Sequence, residues 1–392
     1  MFPKISDLLN FLFDIHLNLP FQTYGFMLTL GFLSGGLVLR SELKRKEREG
    51  LLAARIRQTE SLRQGYWFKV LLQGIIVLVI IWKFAGIIFH YQHFASNPQK
   101  FVFSTEGSIP VLIVAGIIYL AISLYRYIVS KNLPESLKEE IIHPYQHTWS
   151  ILIVALISAL VGSKLFDIFD NFSSFLKNPM LSLISFDGFA FYGGLIATVF
   201  VLVLYMRVVR LDWKQVIDCT APVILLGYAI GRLGCHLSGD GCWGVINSSP
   251  QPEWLAWLPD WLWACIYPHN VINSGIPIPG CGGPHCRMLA EAVFPTSLYE
   301  SVLSLFSFCF LWISRKRIKA PVVLFGLFLV LFGSERMLIE QIRINNKYHV
   351  LGMQFSQAEI ISGFLILTGG ITILYFLRRY KRLVACRLWQ YI

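Results

Sequence analysis

Charged residues are scarce in this sequence. Asp, Glu, Lys and Arg make up 15% of the 392 residues, whereas soluble domains carry about 25%. Hydrophobic residues account for 55% and the mean hydropathy is +0.58, which excludes an ordinary soluble domain. Several apolar runs reach roughly 20 residues, the length that crosses a hydrocarbon core of about 30 Å. The composition therefore predicts an all-α polytopic membrane protein.

Short alternating strands are also lacking, which excludes a membrane β-barrel. The apolar runs predict about nine transmembrane helices in one integral membrane domain, residues 1–392, with the N-terminus outside the cell and the C-terminus inside. The predicted spans lie near residues 21–40, 70–92, 110–129, 150–170, 188–207, 216–236, 296–314, 320–334 and 358–377.

Basic residues are concentrated in a few blocks, although the net charge of +11 could suggest a nucleic-acid partner. Nine Lys or Arg lie between Arg40 and Lys69, so residues 41–69 are predicted to form a basic cytoplasmic segment. Residues 315–319 hold four more and the tail from Arg378 holds five. Such clustering follows the positive-inside rule, and anionic membrane lipid is the expected electrostatic partner. No nucleic acid is expected.

Residues 237–294 contain one basic residue, Arg287, and are rich in Trp, Pro and Gly. We expect this segment, called the cap below, to fold on the outer face between the sixth and seventh spans, with aromatic residues at the membrane interface. An oxidising exterior makes disulfides plausible among Cys242, Cys265, Cys281 and Cys286, most simply Cys281–Cys286. These cysteines could instead bind zinc with His236, His269 and His285, but no CxxC pair is present. Neither a metal nor a cofactor is expected.

Arginines mark two segments at predicted outer helix ends. The segment GRLGCHLSGDGCWG (231–244) places Arg232 inside the sixth span, where a charge is expensive unless it has a function or extends to the interface. The segment GSERMLIEQIRIN (333–345) spaces Arg336, Glu340 and Arg343 along one predicted helical face, which an amphipathic helix end held by ion pairs would also explain. Together the two groups predict a phosphate pocket, because the planar arginine side chain matches phosphate oxygens.

Two further segments lie at the outer ends of predicted helices, where those helices begin. In DGFAFYGGLIA (187–197), Gly193 and Gly194 would let helices approach closely in lipid, and Tyr192 would point a phenol into that junction. In FPTSLYE (294–300), Tyr299 and Glu300 follow a proline. A carboxylate in a first helical turn is also favoured by the helix dipole, which is the alternative explanation for Glu300.

These segments, in this order, resemble the prolipoprotein diacylglyceryl transferase family. The family signature reads roughly GRxGNFxNGExWG, where this chain has GRLGCHLSGDGCWG. Its (H/Y)GG(L/A)IG, HPxQLYE and YGxFRxxxExxR elements resemble FYGGLIA, FPTSLYE and FGSERMLIEQIR, and its early TyrGly matches Tyr24-Gly25. The resemblance covers residues 15–40 and 150–377. It implies a seven-span core to which residues 70–129 add an extra transmembrane hairpin.

The resemblance implies a reaction. The family transfers the diacylglyceryl group of phosphatidylglycerol to the lipobox cysteine thiol in the signal peptide of a preprolipoprotein. The products are a thioether and glycerol 1-phosphate. The chain would act as a cofactor-free monomer in the bacterial inner membrane, with a periplasmic N-terminus and a cytoplasmic C-terminus.

The resemblance also implies roles for individual residues. Arg232 and Arg336 would grip the phosphate and stabilise developing charge. Asp240, in the place of the signature's glutamate, would orient head-group hydroxyls or an arginine, and Glu340 would hold Arg336 or Arg343. The remaining substrate-binding candidates are Tyr24, Gly193, Gly194, Cys235, Gly239, Gly244, Tyr299 and Glu300.

Departures from the family pattern leave the base that deprotonates the acceptor thiol open. Many relatives carry histidine where Tyr192 stands, and Cys235, beside His236, replaces the signature's asparagine. The base is therefore Tyr192, His236 or neither. One extra residue lies between Asp240 and Trp243, and phenylalanines replace a family tyrosine at Phe332 and a family histidine at Phe294.

Three other functions are compatible with parts of the pattern. A paralogue could transfer lipid to another acceptor, or a non-catalytic protein could retain the fold to bind lipid or lipoprotein. A transporter is a third possibility, but we find no inverted pair of broken spans to support it. Retention of five charged residues in or beside lipid favours catalysis over binding alone.

Overall fold

The predicted all-α membrane architecture is confirmed. A computed structural model describes residues 1–16, 18–19, 21–58, 66–90, 94, 101, 104–132, 139–177, 179, 182, 191–344, 347–350 and 353–389. Most of these residues lie in helices, and seven of the helices are long and apolar enough to cross a membrane. The chain is a multi-pass membrane protein.

The helices are α1 Ile5–Phe13, α2 Thr23–Arg48, α3 Tyr66–Phe89, α4 Ile109–Asn132, α5 Thr148–Asp170, α6 Phe172–Lys177, α7 Phe191–Val208, α8 Trp213–Ser238, α9 Thr296–Ser314, α10 Val323–Glu340 and α11 Gln357–Trp389. The strands are β1 Arg55–Gln58, β2 Glu139–Ile142, β3 Ile276–Pro277, β4 Arg287–Met288, β5 Lys347–Val350 and β6 Met353–Ser356. They form three antiparallel pairs, β1 with β2, β3 with β4 and β5 with β6.

Two of the nine predicted spans differ from the other seven. The seven apolar helices are α2, α3, α4, α5, α8, α9 and α11. Predicted span 188–207 corresponds to α7, whose apolar part, Gly193–Val208, is shorter. Predicted span 320–334 corresponds to α10, which extends to Glu340 and so carries three charged side chains near its end. Nine crossings therefore stay a prediction.

The chain divides into two compact units. The larger comprises Met1–Pro3, Gln22–Ala53 and His143–Ile392, and the smaller comprises Lys4–Phe21 and Ala54–Ile142. In the smaller unit α3 packs on α4, where the Tyr119 hydroxyl donates to the Val70 carbonyl at 2.9 Å. The predicted hairpin 70–129 belongs to this unit, although residues 91–93, 95–100 and 102–103 lie outside the described residues.

Helix α8 is the central helix of the larger unit, in contact with α2, α9 and α10. Small residues permit the close approach, since a Cβ added at Gly31 would lie 3.2 Å from the carbonyl oxygen of Gly227. Helix α8 begins at Asp212, whose side chain accepts from the Lys214 amide, and it ends at Gly239 in a left-handed conformation. Arg232 and Cys235 thus lie in its last turns.

A buried ionic cluster fixes the other end of the same bundle. Glu42 is fully buried and pairs with Arg45 at 2.8 Å and Arg315 at 2.6 Å. Lys46 donates to Gln215 at 2.7 Å and lies 3.6 Å from Asp218. Because an unpaired buried charge is strongly destabilising, these contacts fix the positions of α2, α8 and α9.

Candidate active site

Three arginines converge on one buried carboxylate. Glu300, in the second turn of α9, is fully buried. Arg232 Nε lies 2.7 Å from Glu300 Oε2, while Arg336 Nη1 and Arg343 Nη1 donate to Oε1 at 2.7 and 3.0 Å. Arg232 lies on α8, Glu300 on α9 and Arg336 on α10, and Arg343 follows the end of α10. We call these four residues the arginine cluster (Arg232, Arg336, Arg343 and Glu300).

Arg343 reaches the cluster from a turn, so its predicted place on a helical face with Arg336 and Glu340 is wrong. Helix α10 ends at Glu340, and the chain then turns to pair with Gly244. The Val245 amide donates to the Ile342 carbonyl at 2.9 Å. A Cβ at Gly244 would overlap that carbonyl, so the crossing requires glycine.

Glu340 is not the closest partner of the arginines. Arg336 Nη2 lies 4.0 Å from Glu340 Oε2, and the role of Glu340 in holding Arg336 or Arg343 stays a prediction. Glu300 contacts Arg336 and Arg343 more closely. The helix-dipole alternative for Glu300 does not account for its three arginine partners.

The arginine cluster retains capacity for an anion. Three guanidinium groups surround one carboxylate, and each carries several N–H donors, more than Glu300 can accept. The side chains of Arg232, Arg336 and Arg343 are 16, 23 and 17% exposed, against 1% for Glu300. The carboxylate is therefore enclosed while the arginine side chains stay partly accessible, an arrangement suited to holding phosphate oxygens.

The turn after α8 brings three potential ligands together. Gly239 and Gly241 adopt φ of 65° and 95°, which glycine tolerates without strain, and the Asp240 amide donates to the Cys235 carbonyl at 3.4 Å. Asp240 Oδ1 accepts from the Cys242 amide at 3.1 Å. As a result, the ligand atoms of Cys235, Asp240 and Cys242 all lie within 4.8 Å of one another.

His236 is buried against the aromatic residues of the cap. Its Nδ1 lies 3.1 Å from the Tyr267 hydroxyl, and its ring stacks on Trp261 with 6.1 Å between centroids. Burial raises the pKa of Tyr267 far above its ordinary value, so its phenol stays protonated at neutral pH. These contacts give His236 a packing role, and its action as a base stays a prediction.

Comparison with known proteins decides the family. The model of the prolipoprotein diacylglyceryl transferase family matches residues 100–375. The chain belongs to this family. A phosphatidylglycerol–prolipoprotein diacylglyceryl transferase of Leptospira interrogans is 28% identical over 291 residues, covering 62% of this chain and 83% of the relative. The Clostridium tetani protein of the same name is 26% identical over 224 residues (57% and 78%), and that of Salmonella heidelberg is 27% identical over 242 residues (59% and 78%).

Membership in the prolipoprotein diacylglyceryl transferase family makes the chain a membrane transferase, and the arginine cluster contains the arginines of two family motifs. Tyr24 of the TyrGly element lies in the first turn of α2, 38% exposed, within electrostatic range of Arg232 and Asp240. Tyr192 is the second residue of α7, but its side chain lies outside the described part of the structure.

Other motif residues have structural explanations. Side chains at Gly193 and Gly194 would overlap Phe166 and Ser163 of α5, so these glycines are required for helix packing. The Tyr299 hydroxyl donates to the Leu262 carbonyl in the cap at 2.7 Å. Gly239 faces Asn270, whose Cβ would lie 2.9 Å from an added Cβ. A substrate contact by these residues stays a prediction.

Tyr228 contacts the arginine cluster and Glu335 links α10 to α9 beside it, and both residues were missed from the sequence. The Arg232 Cζ lies 5.0 Å from the centroid of the Tyr228 ring, a cation–π distance. Buried Glu335 accepts from the Ser304 hydroxyl at 2.8 and 2.7 Å. Tyr228 precedes Arg232 by one helical turn, and that spacing was a usable signal.

The predicted Cys281–Cys286 disulfide is confirmed. It closes a short loop of the cap near His269, whose Nδ1 lies 2.9 Å from the His285 carbonyl. Cys235, Cys242 and Cys265 are not disulfide-bonded.

Cys281→Ser should destabilise the cap locally by about 2 kcal/mol, the loop-closure value for so short a ring. Hydrogen exchange should accelerate around β3 and β4 while helix α9 stays protected. Cys309→Ser, an exposed cysteine on α9, is the matched control and should change neither region. Unchanged exchange in β3 and β4 would show that the disulfide does not hold the cap.

Proposed function

We propose that this chain transfers the diacylglyceryl group of phosphatidylglycerol to the thiol of a lipobox cysteine in a preprolipoprotein signal peptide. The observation that carries the proposal is the arginine cluster, with its enclosed carboxylate and partly accessible arginine side chains. Family membership and the names of the relatives support the donor and the acceptor.

The reaction breaks the bond between the diacylglyceryl carbon and the phosphate oxygen. The acceptor thiol loses its proton, its sulfur attacks that carbon, a thioether forms, and glycerol 1-phosphate leaves as an anion. Arg232, Arg336 and Arg343 bind the phosphate and stabilise the charge that develops on the leaving oxygen. Because the guanidinium groups are already fixed by Glu300, little reorganisation is needed during the reaction.

The surrounding residues position the substrate. Asp240 orients hydroxyls of the glycerol head group, and Tyr24 lines the lipid site. Tyr228 supports Arg232 through its ring face. Either Tyr192 or His236 is a candidate base, although the thiol, with a pKa of about 8.5, needs little assistance.

The site faces the outside of the bacterial inner membrane in this proposal. The cap, the arginine cluster and the N-terminus then lie on the periplasmic side. The buried ionic cluster around Glu42, the basic segment 41–69 and the C-terminus lie on the cytoplasmic side. The enzyme acts as a monomer, and of the hairpin formed by residues 70–129 the family model matches only residues 100–129.

Purified protein incubated with phosphatidylglycerol and a lipobox peptide should yield a peptide whose mass has increased by one diacylglyceryl group. The matched control peptide carries serine in place of the acceptor cysteine and should stay unmodified. No adduct, with an active relative as positive control, would contradict the proposal. Phosphatidylglycerol consumption without peptide modification would instead identify another acceptor.

A further inference from the structure

In the reaction as described above Asp240 orients head-group hydroxyls, but the two cysteines that lie beside it at the end of α8, Cys235 and Cys242, have no role. The three residues form the one group of three or more His, Cys, Asp or Glu with such closely spaced ligand atoms in the described part of the chain. From its geometry we propose that this cluster binds a thiophilic divalent cation, with zinc as the natural ion, and leaves one coordination position open for the acceptor thiol. The second part of the inference rests on the proposed function.

The ligand set matches zinc chemistry. Thiolates select soft or borderline ions such as zinc over magnesium or calcium. Catalytic zinc sites use three protein ligands and keep a fourth position for water or substrate. Bonds of about 2.0–2.3 Å in a tetrahedron place ligand atoms roughly 3.3–3.8 Å apart, so ligand atoms that lie within 4.8 Å of one another need at most a small closure.

The turn after α8 already holds the three ligands close to the positions that a bound cation requires. Asp240 uses Oδ1 to accept from the Cys242 amide, which fixes the carboxylate close to the sulfurs of Cys235 and Cys242. Left-handed Gly239 and Gly241 fold Asp240 and Cys242 back toward Cys235 on the last turn of α8. A preformed turn lowers the cost of ordering ligands around an ion.

The charge of the site is also suitable. Two thiolates and one carboxylate carry three negative charges, so a divalent cation leaves an excess of one negative charge. Arg232 lies within electrostatic range of Cys242 and balances that excess. The positive arginine cluster therefore does not prevent the cation from binding.

A disulfide is the competing use of the two thiols. The structure contains the Cys281–Cys286 disulfide but leaves Cys235 and Cys242 unbonded, with the Asp240 carboxylate beside both sulfurs. A carboxylate in this position can coordinate a cation, whereas it has no part in a disulfide.

The open position lies next to the site of transfer. Cys235 is buried, whereas Asp240 and Cys242 are half-buried, so solvent or substrate can reach the cluster on the side of the latter two. The ring of Tyr24, at the proposed lipid site, would lie 3.6 Å from a Cβ added at Gly234, the residue before Cys235. An acceptor thiol that binds the cation gives its proton to solvent as the sulfur–metal bond forms, because a cation favours the thiolate. Its sulfur then attacks the diacylglyceryl carbon while the phosphate oxygen leaves toward the arginines.

This arrangement explains two departures from the family signature together. Cys235 replaces an asparagine, and the extra residue after Asp240 accompanies a second cysteine. A cation that favours the thiolate reduces the need for a base, in a chain where Tyr192 stands in place of the histidine of many relatives.

Cobalt substitution tests metal binding without any need for turnover. Full-length protein in detergent with a non-thiol reductant should bind one equivalent of Co²⁺ and show a sulfur-to-cobalt charge-transfer band. Cys235→Ser, Cys242→Ser and Asp240→Asn should each weaken Co²⁺ binding by more than about 100-fold, beyond the effect of an outer-shell substitution. Cys309→Ser is the matched control and should bind normally. Normal binding by the three ligand variants, or no binding by the parent protein, would overturn the proposal.

Adding a lipobox peptide separates the inference from the proposed function. The cysteine peptide should intensify the charge-transfer band by contributing a third thiolate, and the serine peptide should not. A two-thiolate spectrum unchanged by the cysteine peptide would refute the open-position assignment. A metal site that accepts the peptide without any lipid transfer would support this inference while refuting the proposed function. A Cys235–Cys242 disulfide in protein isolated without reductant would refute the metal site.

Discussion

Arg232→Ala should lower the rate of diacylglyceryl transfer by about 10²–10³-fold, the loss typical of removing one preorganised donor to a developing oxyanion. Arg232 is the member of the arginine cluster that reaches Glu300 from α8, so no neighbouring side chain on that helix can substitute for it. Arg336→Ala should cause a loss of similar size, because Arg336 supplies the matching contact from α10. Transfer rates measured by mass spectrometry of the peptide product would provide both values.

Two further variants show whether the effect is specific. Arg232→Lys keeps the charge but removes the planar fork, so it should recover only a small part of the rate. Arg287→Ala removes an arginine of the cap that donates to the Gly275 carbonyl at 3.1 Å, outside the arginine cluster, and should leave the rate unchanged. Normal rates in both Arg232→Ala and Arg336→Ala would show that these residues do not grip the phosphate.

Glu300→Gln should reduce both stability and turnover. Breaking a buried ion pair costs about 3–5 kcal/mol because the remaining charges are left unpaired, and here three guanidinium groups lose one partner. The same groups lose their fixed orientation, and a misplacement of about 1 Å can cost 10²-fold in rate. The apparent melting temperature and kcat of the purified protein should therefore both fall, while KM changes less because the positive charge remains.

Glu42→Gln is the matched control for this substitution. Glu42 is also fully buried and paired with two arginines, but it lies in the other ionic cluster, between Arg45 and Arg315. Its substitution should lower the melting temperature and leave the kcat of the folded fraction close to that of the parent. Equal losses of kcat in the two variants would show that Glu300 is a purely structural residue.

Much of this fold is dictated by composition and short motifs. Apolar runs predicted the helices because a bilayer permits few other arrangements of backbone hydrogen bonds. The spacing of glycine, arginine and carboxylate in the motifs predicted one shared pocket for Arg232 and Arg336, and in the structure both contact Glu300. The Cys281–Cys286 disulfide was predicted as the simplest pairing because these two cysteines are close together in the sequence.

The remaining features depend on tertiary contacts. Glu300 looked like a helix-terminal carboxylate because the sequence alone does not show which helices surround it. Arg343 continued the helical spacing of α10, but main-chain pairing with Gly244 ends the helix earlier. The proximity of Cys235 and Cys242 depends on the left-handed backbone of Gly239 and Gly241. The spacing of the three ligands in the sequence does not match a familiar metal motif.

The two ends of the cap are tied to each other where they leave the bundle. Gly244 donates to the Phe294 carbonyl at 2.9 Å, and Ile246 and Cys265 both bridge to Val293. The intervening chain is therefore a loop closed at its base. Since the entropy of closing a flexible loop rises by only about 0.6 kcal/mol for each doubling of its length, insertions or deletions there should leave Glu300 and Arg343 in place. The cap is thus the part of the molecule whose length and sequence can change without rebuilding the end of the bundle that carries the arginine cluster.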